Sequence, residues 1–167
     1  RIGSQFNFER FKDRWSRVRQ LQNAQLQADS IVNACKHMAA TKTGALIAIK
    51  TQQELKVYED TGETIDAVLS ARLIENIFFK NTPLHDGAMI INNGKISAAA
   101  CILPVSKRTD LPQSYGLRHR AALGLAEKSD ALIIVISEET GKISIAKEED
   151  IHNVTIEELE TQYIQPL

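Results

Sequence analysis

The sequence predicts one α/β domain, in which a mixed central sheet of five to seven strands contains mainly antiparallel pairs and is flanked by helices. Three observations support this fold class. Short apolar runs that suit buried strands alternate with segments of helical periodicity, and two pairs of runs are joined by hairpin turns. No GxGxxG sequence follows a strand, which disfavours the doubly wound parallel sheet of a dinucleotide-binding enzyme. The 167 residues, 43% of them hydrophobic, are enough for one buried core.

The composition excludes several classes of protein. Eight glycines, four prolines and a formal charge of −1 are unlike a collagen-like chain, a disordered chain or a strongly basic protein that coats nucleic acid. Cys35 and Cys101 stand far apart in apolar surroundings, so we expect two reduced core residues in a cytosolic compartment rather than a disulfide framework. No run approaches the roughly 18 apolar residues of a membrane span, and no signal peptide is evident.

The first twenty residues differ from the rest of the chain. They carry six basic and two acidic residues, a charge of +4, whereas the remainder carries −5. Four of the nine aromatic residues lie here at roughly helical spacing: Phe6, Phe8, Phe11 and Trp15. We predict a helix over residues 1–23, ahead of a main domain at 24–167. Two interpretations stay open, a linker helix that packs on its own domain and a juxtamembrane segment near an anionic lipid surface.

The rest of the chain predicts helices and strands in turn. Helical periodicity predicts helices at 24–39, 69–78, 117–128 and 155–161, the last one with a Thr155–Glu158 capping box. Apolar or alternating runs predict strands at 45–49, 55–58, 88–91, 96–103, 131–136 and 142–146. Asn93–Gly94 suits a type I′ turn, so 88–91 and 96–103 form a hairpin. The turn at 138–141 joins the last two strands into a second hairpin, and Gly44 ends the helix that precedes the first strand.

The first of three polar clusters is His85–Asp86–Gly87–Ala88, directly before a predicted buried strand. Because Gly87 has no Cβ, a ligand could approach the backbone closely at this point. Alternatively, Asp86 and Gly87 form an ordinary Asp–Gly turn.

The second cluster, residues 116–120, lies where a loop enters a predicted helix. Free backbone N–H groups and the helix dipole favour an anion there, and the guanidinium groups of Arg118 and Arg120 could hold phosphate oxygens. Two arginines at i and i+2 reach one phosphate cluster only if the helix begins at or after them. The alternative is a solvated basic turn in which His119 is a packing residue.

The third cluster is Ser137–Glu138–Glu139, which follows the most apolar strand. Adjacent carboxylates at a strand end suit a cation site, although they are also common in a solvated turn. The chain has no Walker A loop, HExxH, GxSxG or zinc-type Cys/His spacing. The remaining set of one aspartate, a carboxylate pair with a nearby histidine, and clustered arginines suits phosphoryl or nucleotidyl transfer through a divalent metal.

Together these clusters carry a family resemblance. Asp86–Gly87–Ala88, then Arg118–His119–Arg120 about thirty residues later, then 137–141, resemble the DGA and RHR motifs and the acidic turn of the diadenylate cyclase domain. The match runs from about residue 24 to residue 146. The N-terminal stretch and the run 43–47 are similar to the membrane-anchored branch of that family rather than to its DNA-scanning branch.

The resemblance implies synthesis of cyclic di-AMP from two ATP with release of two pyrophosphates, using Mn²⁺ or Mg²⁺. It implies a homodimer in which two protomers face each other, each holding one ATP. It also implies transmembrane helices upstream of a fragment such as this one, a place at the cytoplasmic face of the cell membrane, and room for regulatory protein partners. The acidic body of the chain, poor in aromatic residues, argues against a nucleic-acid partner.

Carried over to this sequence, the resemblance implies three groups of site residues. Asp86 would help to deprotonate the 3′-hydroxyl, and Arg118 and Arg120 would act with it as catalytic residues that grip phosphate and ribose. The ATP-binding residues would be Gly87, Ala88, Leu103, Leu117, His119, Ser137 and Glu138, with Leu103 against adenine. His85 and Glu139 would bind the metal.

One position departs from the family pattern. The family usually has Thr directly before RHR, and this chain has Leu117 there. A side-chain hydroxyl contact to the nucleotide is therefore lost, whereas a backbone contact can survive. This departure keeps a second hypothesis open, a non-catalytic regulatory module that binds adenine nucleotides.

Overall fold

The computed structural model describes residues 7–165, which form a seven-stranded sheet with helices on both faces. In chain order the strands are β1 (Ala45–Ile49), β2 (Glu63–Val68), β3 (Ala88–Asn92), β4 (Lys95–Cys101), β5 (Leu132–Ile136), β6 (Ile143–Lys147) and β7 (Asp150–Val154). The helices are α1 (Phe8–Ala40), α2 (Lys56–Glu59), α3 (Ala71–Ile77), α4 (Leu117–Lys128) and α5 (Ile156–Glu158), which continues into a π-helical turn at Leu159–Tyr163.

The sheet has the strand order β2-β4-β3-β1-β5-β6-β7. The pair β1–β3 is parallel, with Ile47 opposite Met89, and every other neighbouring pair is antiparallel. All five residues of β5 are buried, as a continuous apolar run in the sheet centre requires. The predicted fold class, a mixed sheet of five to seven strands rich in antiparallel pairs, is confirmed.

The core lies in two layers, one on each face of the sheet. On one face, α1, α3 and the C-terminal helical segment cover a cluster that includes Met38, Phe78 and Leu159. On the other face, α4 covers a cluster that includes Leu123 and Leu125. Strand residues alternate between the clusters, because successive side chains of a strand point to opposite faces.

Helix α1 is the longest element. Asn7 caps it by accepting a hydrogen bond from the Arg10 amide, and it continues without a break through residue 23, where the sequence predicts the start of the main domain. Its side chains are buried only from Ala28 onward. The predicted positions Arg1 and Phe6 lie outside the described residues. Within residues 7–165, no helix is both long enough and apolar enough to cross a bilayer.

Several local predictions differ from the structure. Residues 55–58, predicted as a strand, lie in and before α2, where Tyr58 and Glu59 both donate to the Leu55 carbonyl. The two edge strands β2 and β7 are missed because they have few buried residues and no continuous apolar run. Strand β4 ends at Cys101 rather than at residue 103. The predicted capping box is present, since Thr155 Oγ1 accepts from the Glu158 amide at 3.0 Å.

Candidate active site

Along one edge of the sheet, the edge that runs across the strand ends, four neighbouring central strands begin or end. Strands β3 and β1 are parallel and both begin there, whereas β4 and β5 run antiparallel to them and end there. The segments before β3 and after β5 therefore come together, although some fifty residues separate them in the chain. The three polar clusters of the sequence converge because strand order and direction bring them to this edge.

A cavity of about 590 Å³ opens at this edge, between the strand ends and the N-terminus of α4. This volume is in the usual range for small-molecule sites. Ten of the twelve site residues expected from the sequence line it: His85, Asp86, Gly87, Leu103, Leu117, Arg118, His119, Ser137, Glu138 and Glu139. Ala88 and Arg120 do not.

Gly87, directly before β3, has a backbone conformation that strongly favours glycine. Its φ is +101°, and a Cβ there would lie 2.7 Å from the Cys101 carbonyl oxygen. The glycine thus allows β3 to begin against β4, whose Ala100 also has a positive φ of 53°. The backbone between Asp86 and β3 therefore passes close to β4 and leaves the Asp86 carboxylate 86% exposed at the cavity.

His85 and Asp86 form the part of the site that best suits a cation. His85 Nδ1 lies 2.6 Å from the Thr82 carbonyl oxygen, so that nitrogen must carry a proton. In the neutral ring Nε2 is then a bare acceptor, 3.3 Å from Asp86 Oδ1. A cation between these two atoms would be favoured, and a carbonyl behind the ring is the usual support of a metal-binding histidine.

Glu139 lines the same cavity, as the predicted second metal ligand should. Among residues 7–165, however, no three His, Cys, Asp or Glu side chains are gathered tightly enough to hold an ion by themselves. An ion held here would need further ligands, as Mg²⁺ does in the proteins that bind it through one or two carboxylates together with phosphate oxygens of the substrate.

The N-terminus of α4 forms the opposite wall. Gly116 is its N-cap and has no side chain to satisfy the first backbone amides, so these donors stay available to an anion. His119 instead accepts a hydrogen bond from the Gly116 amide through Nδ1, at 3.1 Å. Burial, with a smaller contribution from the Arg118 charge, lowers the pKa of His119. A neutral His119 with its proton on Nε2 therefore presents one ring donor.

Arg118 extends over the start of β1. Its Nη1 lies 3.6 Å from Glu138 Oε2, and a Cβ at Gly44 would lie 2.6 Å from the same nitrogen. The absence of a side chain at Gly44 is thus what lets the guanidinium occupy this position. Next to Glu138, the Ser137 hydroxyl accepts hydrogen bonds from the Glu139 and Thr140 amides, which shapes the turn and leaves the hydroxyl proton free to be donated.

Arg120 lies outside the cavity, which differs from the sequence-based expectation. Helix α4 begins at Leu117, ahead of both arginines, so Arg118 and Arg120 project from different sides of the helix. Arg120 Nη1 donates to the Arg108 carbonyl at 3.0 Å, and the Arg120 carbonyl accepts from the Ser106 amide. Arg120 therefore ties the loop at 104–116 to α4. Ala88 is fully buried within β3 and packs in the core.

Sequence reasoning missed several residues at this site. The sequence predicts Gly44 as a helix stop and as part of the family-like run 43–47, and not as a site residue, although a glycine directly before a buried strand repeats the pattern of Gly87. Tyr115 stacks on His119, and nothing in its local sequence indicates this contact. Ile102, an exposed apolar residue after β4, lines the cavity beside Leu103 and Leu117.

Several proteins of named activity are similar to this chain. "Diadenylate cyclase CdaS" of Bacillus thuringiensis (strain BMB171) is 46% identical over 126 residues, which cover 75% of this chain and 63% of that protein. "Cyclic di-AMP synthase CdaA" of Bacillus subtilis (strain 168) is 45% identical over 130 residues, 78% of this chain and 48% of that protein. This chain thus spans about half to two thirds of the length of these relatives.

Solved structures agree with the fold and the family. A double mutant of DacA from Staphylococcus aureus superimposes with a TM-score of 0.82 at 39% identity, covering 83% of this chain and 93% of that one. A protein of Bacillus cereus described as a hypothetical membrane spanning protein superimposes with a TM-score of 0.73 at 46% identity, covering 76% of this chain and 62% of that one.

Residues 32–151, well over half of the sequence, match the family DAC, described as "DisA bacterial checkpoint controller nucleotide-binding". The resemblance drawn from the DGA and RHR motifs is confirmed at the level of the family, and membership of its membrane-anchored branch stays a prediction. This chain belongs to the DAC family.

Proposed function

We propose that this chain is a diadenylate cyclase, which condenses two ATP into cyclic di-AMP and releases two pyrophosphates. The observation that carries the proposal is the convergence of an exposed aspartate, an arginine at a helix N-terminus whose N-cap has no side chain, and an acidic strand end around one cavity. Relatives named diadenylate cyclase and cyclic di-AMP synthase, 45–46% identical to this chain, support the same activity.

In this proposal each chain binds one ATP. The phosphates lie at the N-terminus of α4, where free amides and Arg118 favour negative charge, and Ser137 and Glu138 border them. The apolar residues Leu103 and Leu117 offer a surface for adenine on the other side of the cavity. Leu117 is 72% exposed, so the base can be reached from outside the chain.

The reaction forms one bond and breaks one bond at each α-phosphorus. A 3′-hydroxyl oxygen attacks the α-phosphorus, the bond from that phosphorus to the α,β-bridging oxygen breaks, and pyrophosphate departs with the bonding electron pair. Asp86 accepts the hydroxyl proton, directly or late in the step. Arg118 neutralises charge that grows on the phosphate oxygens and the leaving group, the contribution that usually dominates such transfers.

We propose His85 and Glu139 as the residues that hold the divalent metal, Mn²⁺ or Mg²⁺, next to Asp86, whose Oδ1 lies 3.3 Å from His85 Nε2. When bound, the metal supplies a Lewis acid that makes the hydroxyl more acidic and stabilises phosphate charge. His85 keeps Nε2 available through its hydrogen bond to Thr82.

Because one cavity serves one ATP and the product joins two, two copies of the chain must present their cavities to each other. The exposure of Asp86 at the cavity mouth fits this arrangement. Specific activity should then rise with protein concentration and approach a plateau once the dimer is saturated. A specific activity that stays constant through extensive dilution would count against the facing dimer.

The test is incubation with ATP and Mn²⁺ or Mg²⁺, followed by chromatography for cyclic di-AMP and pyrophosphate. Asp86→Asn should slow turnover by about 10²- to 10⁴-fold, the range for loss of a general base. Asp66→Asn is the matched control, because Asp66 is an exposed carboxylate on the edge strand β2, away from the cavity. ATP left intact by the unmodified protein at high concentration would refute the enzyme. Calorimetric ATP binding without turnover would favour the non-catalytic module instead.

We further propose that the first part of α1 lies against an anionic lipid surface at the cytoplasmic face of the cell membrane. Phe8, Trp15 and Leu21 are more than half exposed there, and Arg14 and Arg17 lie among them in the sequence. The chain should sediment with vesicles that contain phosphatidylglycerol and not with pure phosphatidylcholine vesicles. Equal sedimentation with both would contradict the electrostatic part of this proposal.

A further inference from the structure

Tyr115, the residue before the N-cap of α4, forms a parallel stack with a residue of the candidate site. Its ring centroid lies 4.4 Å from that of His119, and the two ring planes differ by only 4°. The two residues are four apart in sequence, so the stack lies at the first turn of the helix. Tyr115 belongs to neither the DGA nor the RHR motif.

The hydroxyl end of Tyr115 is hydrogen-bonded to a residue of the edge strand β7. Its hydroxyl donates to Asn153 Oδ1 at 3.3 Å, and the same oxygen accepts a 2.7 Å hydrogen bond from Ser144 Oγ. Ser144 is fully buried in β6 and lies directly opposite Asn153 in β7. Tyr115 also packs against the apolar cluster beneath α4. Its ring plane is thus held by a hydrogen bond at one end and by packing along its length.

His119 has one hydrogen-bonding group left for a ligand. Nδ1 accepts from the Gly116 amide at 3.1 Å, so the neutral ring carries its proton on Nε2. The side chain is buried, and it lines the cavity beside Arg118. A hydrogen bond to substrate from a ring N–H depends on the orientation of the ring plane, which the Gly116 contact alone does not determine, because the ring can rotate about that contact.

We propose that Tyr115 is a positioning residue that acts through His119, holding the imidazole plane so that Nε2–H donates to a phosphate or ribose oxygen of the nucleotide. The proposal rests on the proposed function for the identity of the ligand. Tyrosine suits the position because its ring provides a flat partner for the imidazole, while its hydroxyl reaches β7. A leucine would fill similar space without either constraint.

Kinetics of variants provide the first test. Tyr115→Leu should raise the KM for ATP by about five- to tenfold, the equivalent of one hydrogen bond, with a smaller effect on kcat. Tyr58→Leu is the matched control, because Tyr58 packs against the same apolar cluster without touching His119. It should leave KM within about twofold of the unmodified value.

A second variant, His119→Gln, distinguishes an effect of Tyr115 on the orientation of His119 from a general effect on the fold. In His119→Gln the amide oxygen can still accept from the Gly116 amide, as Gln does at this position of a capping box, so the helix start is preserved. Adding Tyr115→Leu to His119→Gln should then change KM less than twofold. Equal effects of Tyr115→Leu in both backgrounds would overturn the proposal.

Nitrogen NMR of the histidine rings tests the proposal without turnover, and the chain has only four histidines. His119 should show a single tautomer with the proton on Nε2 in the unmodified protein and in Tyr115→Phe, which keeps the stack. Tyr115→Leu should keep this tautomer, because the Gly116 amide still donates to Nδ1, but nitrogen relaxation should show a more mobile Nε2–H, because the ring plane is no longer held by the stack. An Nε2–H that is as rigid in Tyr115→Leu as in the unmodified protein would overturn the proposal. If the unmodified protein neither binds nor converts ATP, the proposed function fails, while this measurement still decides whether Tyr115 orients His119.

Discussion

A methyl group added at Gly44 tests whether the position of the Arg118 guanidinium sets the rate of the proposed reaction. Gly44 lies directly before β1, beneath the Arg118 side chain, and it does not have a positive φ. An alanine can therefore adopt the same backbone conformation. The substitution Gly44→Ala acts on the space under the arginine and leaves every polar group of the site in the chain.

The structure sets the size of the displacement. The new Cβ would lie 2.6 Å from Arg118 Nη1 and 2.8 Å from Cζ, whereas ordinary contact begins at 3.4 Å, so the guanidinium must retreat by about 0.8 Å. The Arg118–Glu138 pair at 3.6 Å must shift with it. Because a misplacement of about 1 Å can cost about a hundredfold in rate, we expect Gly44→Ala to lower kcat/KM by about 10- to 100-fold.

Stability should not follow activity in this variant. Alanine restricts the unfolded chain and leaves no strained backbone in the folded one, so the free energy of unfolding should stay within about 1 kcal/mol of the unmodified value. The assay is the initial rate of cyclic di-AMP formation, combined with urea denaturation.

Arg118→Ala provides the control background, because without the guanidinium the close neighbour that remains for the methyl group is Glu138 Cβ, at 3.1 Å. In that background Gly44→Ala should have little further effect. An unchanged rate in Gly44→Ala alone, or the same fold-loss with and without Arg118, would refute the reasoning.

Three further predictions concern stability and reactivity. Gly87→Ala should lower the free energy of unfolding by about 2 kcal/mol, since alanine is strained at a φ of +101° and its methyl would meet the Cys101 carbonyl; an unchanged urea midpoint would contradict this. Burial, and secondarily Arg118, lowers the pKa of His119 below its ordinary 6.5, so the unfolded chain binds more protons at acid pH. The contribution of His119 to the free energy of unfolding should be complete above pH 6.5 and decrease as pH falls through the pKa of His119 in the folded state. His119→Gln should remove this pH dependence between about pH 8 and about pH 5.5. The same pH dependence in that variant would argue against the prediction. Burial raises the pKa of the Cys35 thiol to about 12, so a thiol-specific disulfide reagent should modify Cys35 no faster than the protein unfolds. Rapid labelling of Cys35 in the native protein would disprove this.

The local pattern of the sequence determined most of the secondary structure. The all-apolar strand β5, the Asn93–Gly94 hairpin and the Thr155 cap were predictable because each depends on neighbours in the chain. The edge strands were not predictable, since strands β2 and β7 gain their backbone partners from β4 and β6 rather than from burial of their own side chains.

The chemistry of the site was also recognisable in the sequence, because the DGA and RHR motifs contain Asp86, Gly87, Arg118 and His119, all of which line the cavity. Only the tertiary structure decided how those side chains are arranged. The start of α4 at Leu117 directs Arg118 to the cavity and Arg120 to the loop at 104–116. The lack of a side chain at Gly44 makes room for the Arg118 guanidinium. Tyr115 contacts His119 only when the helix has formed. Each of these contacts depends on which element packs over which. Packing at this edge is a property of strand order and direction, which no short segment of the chain contains.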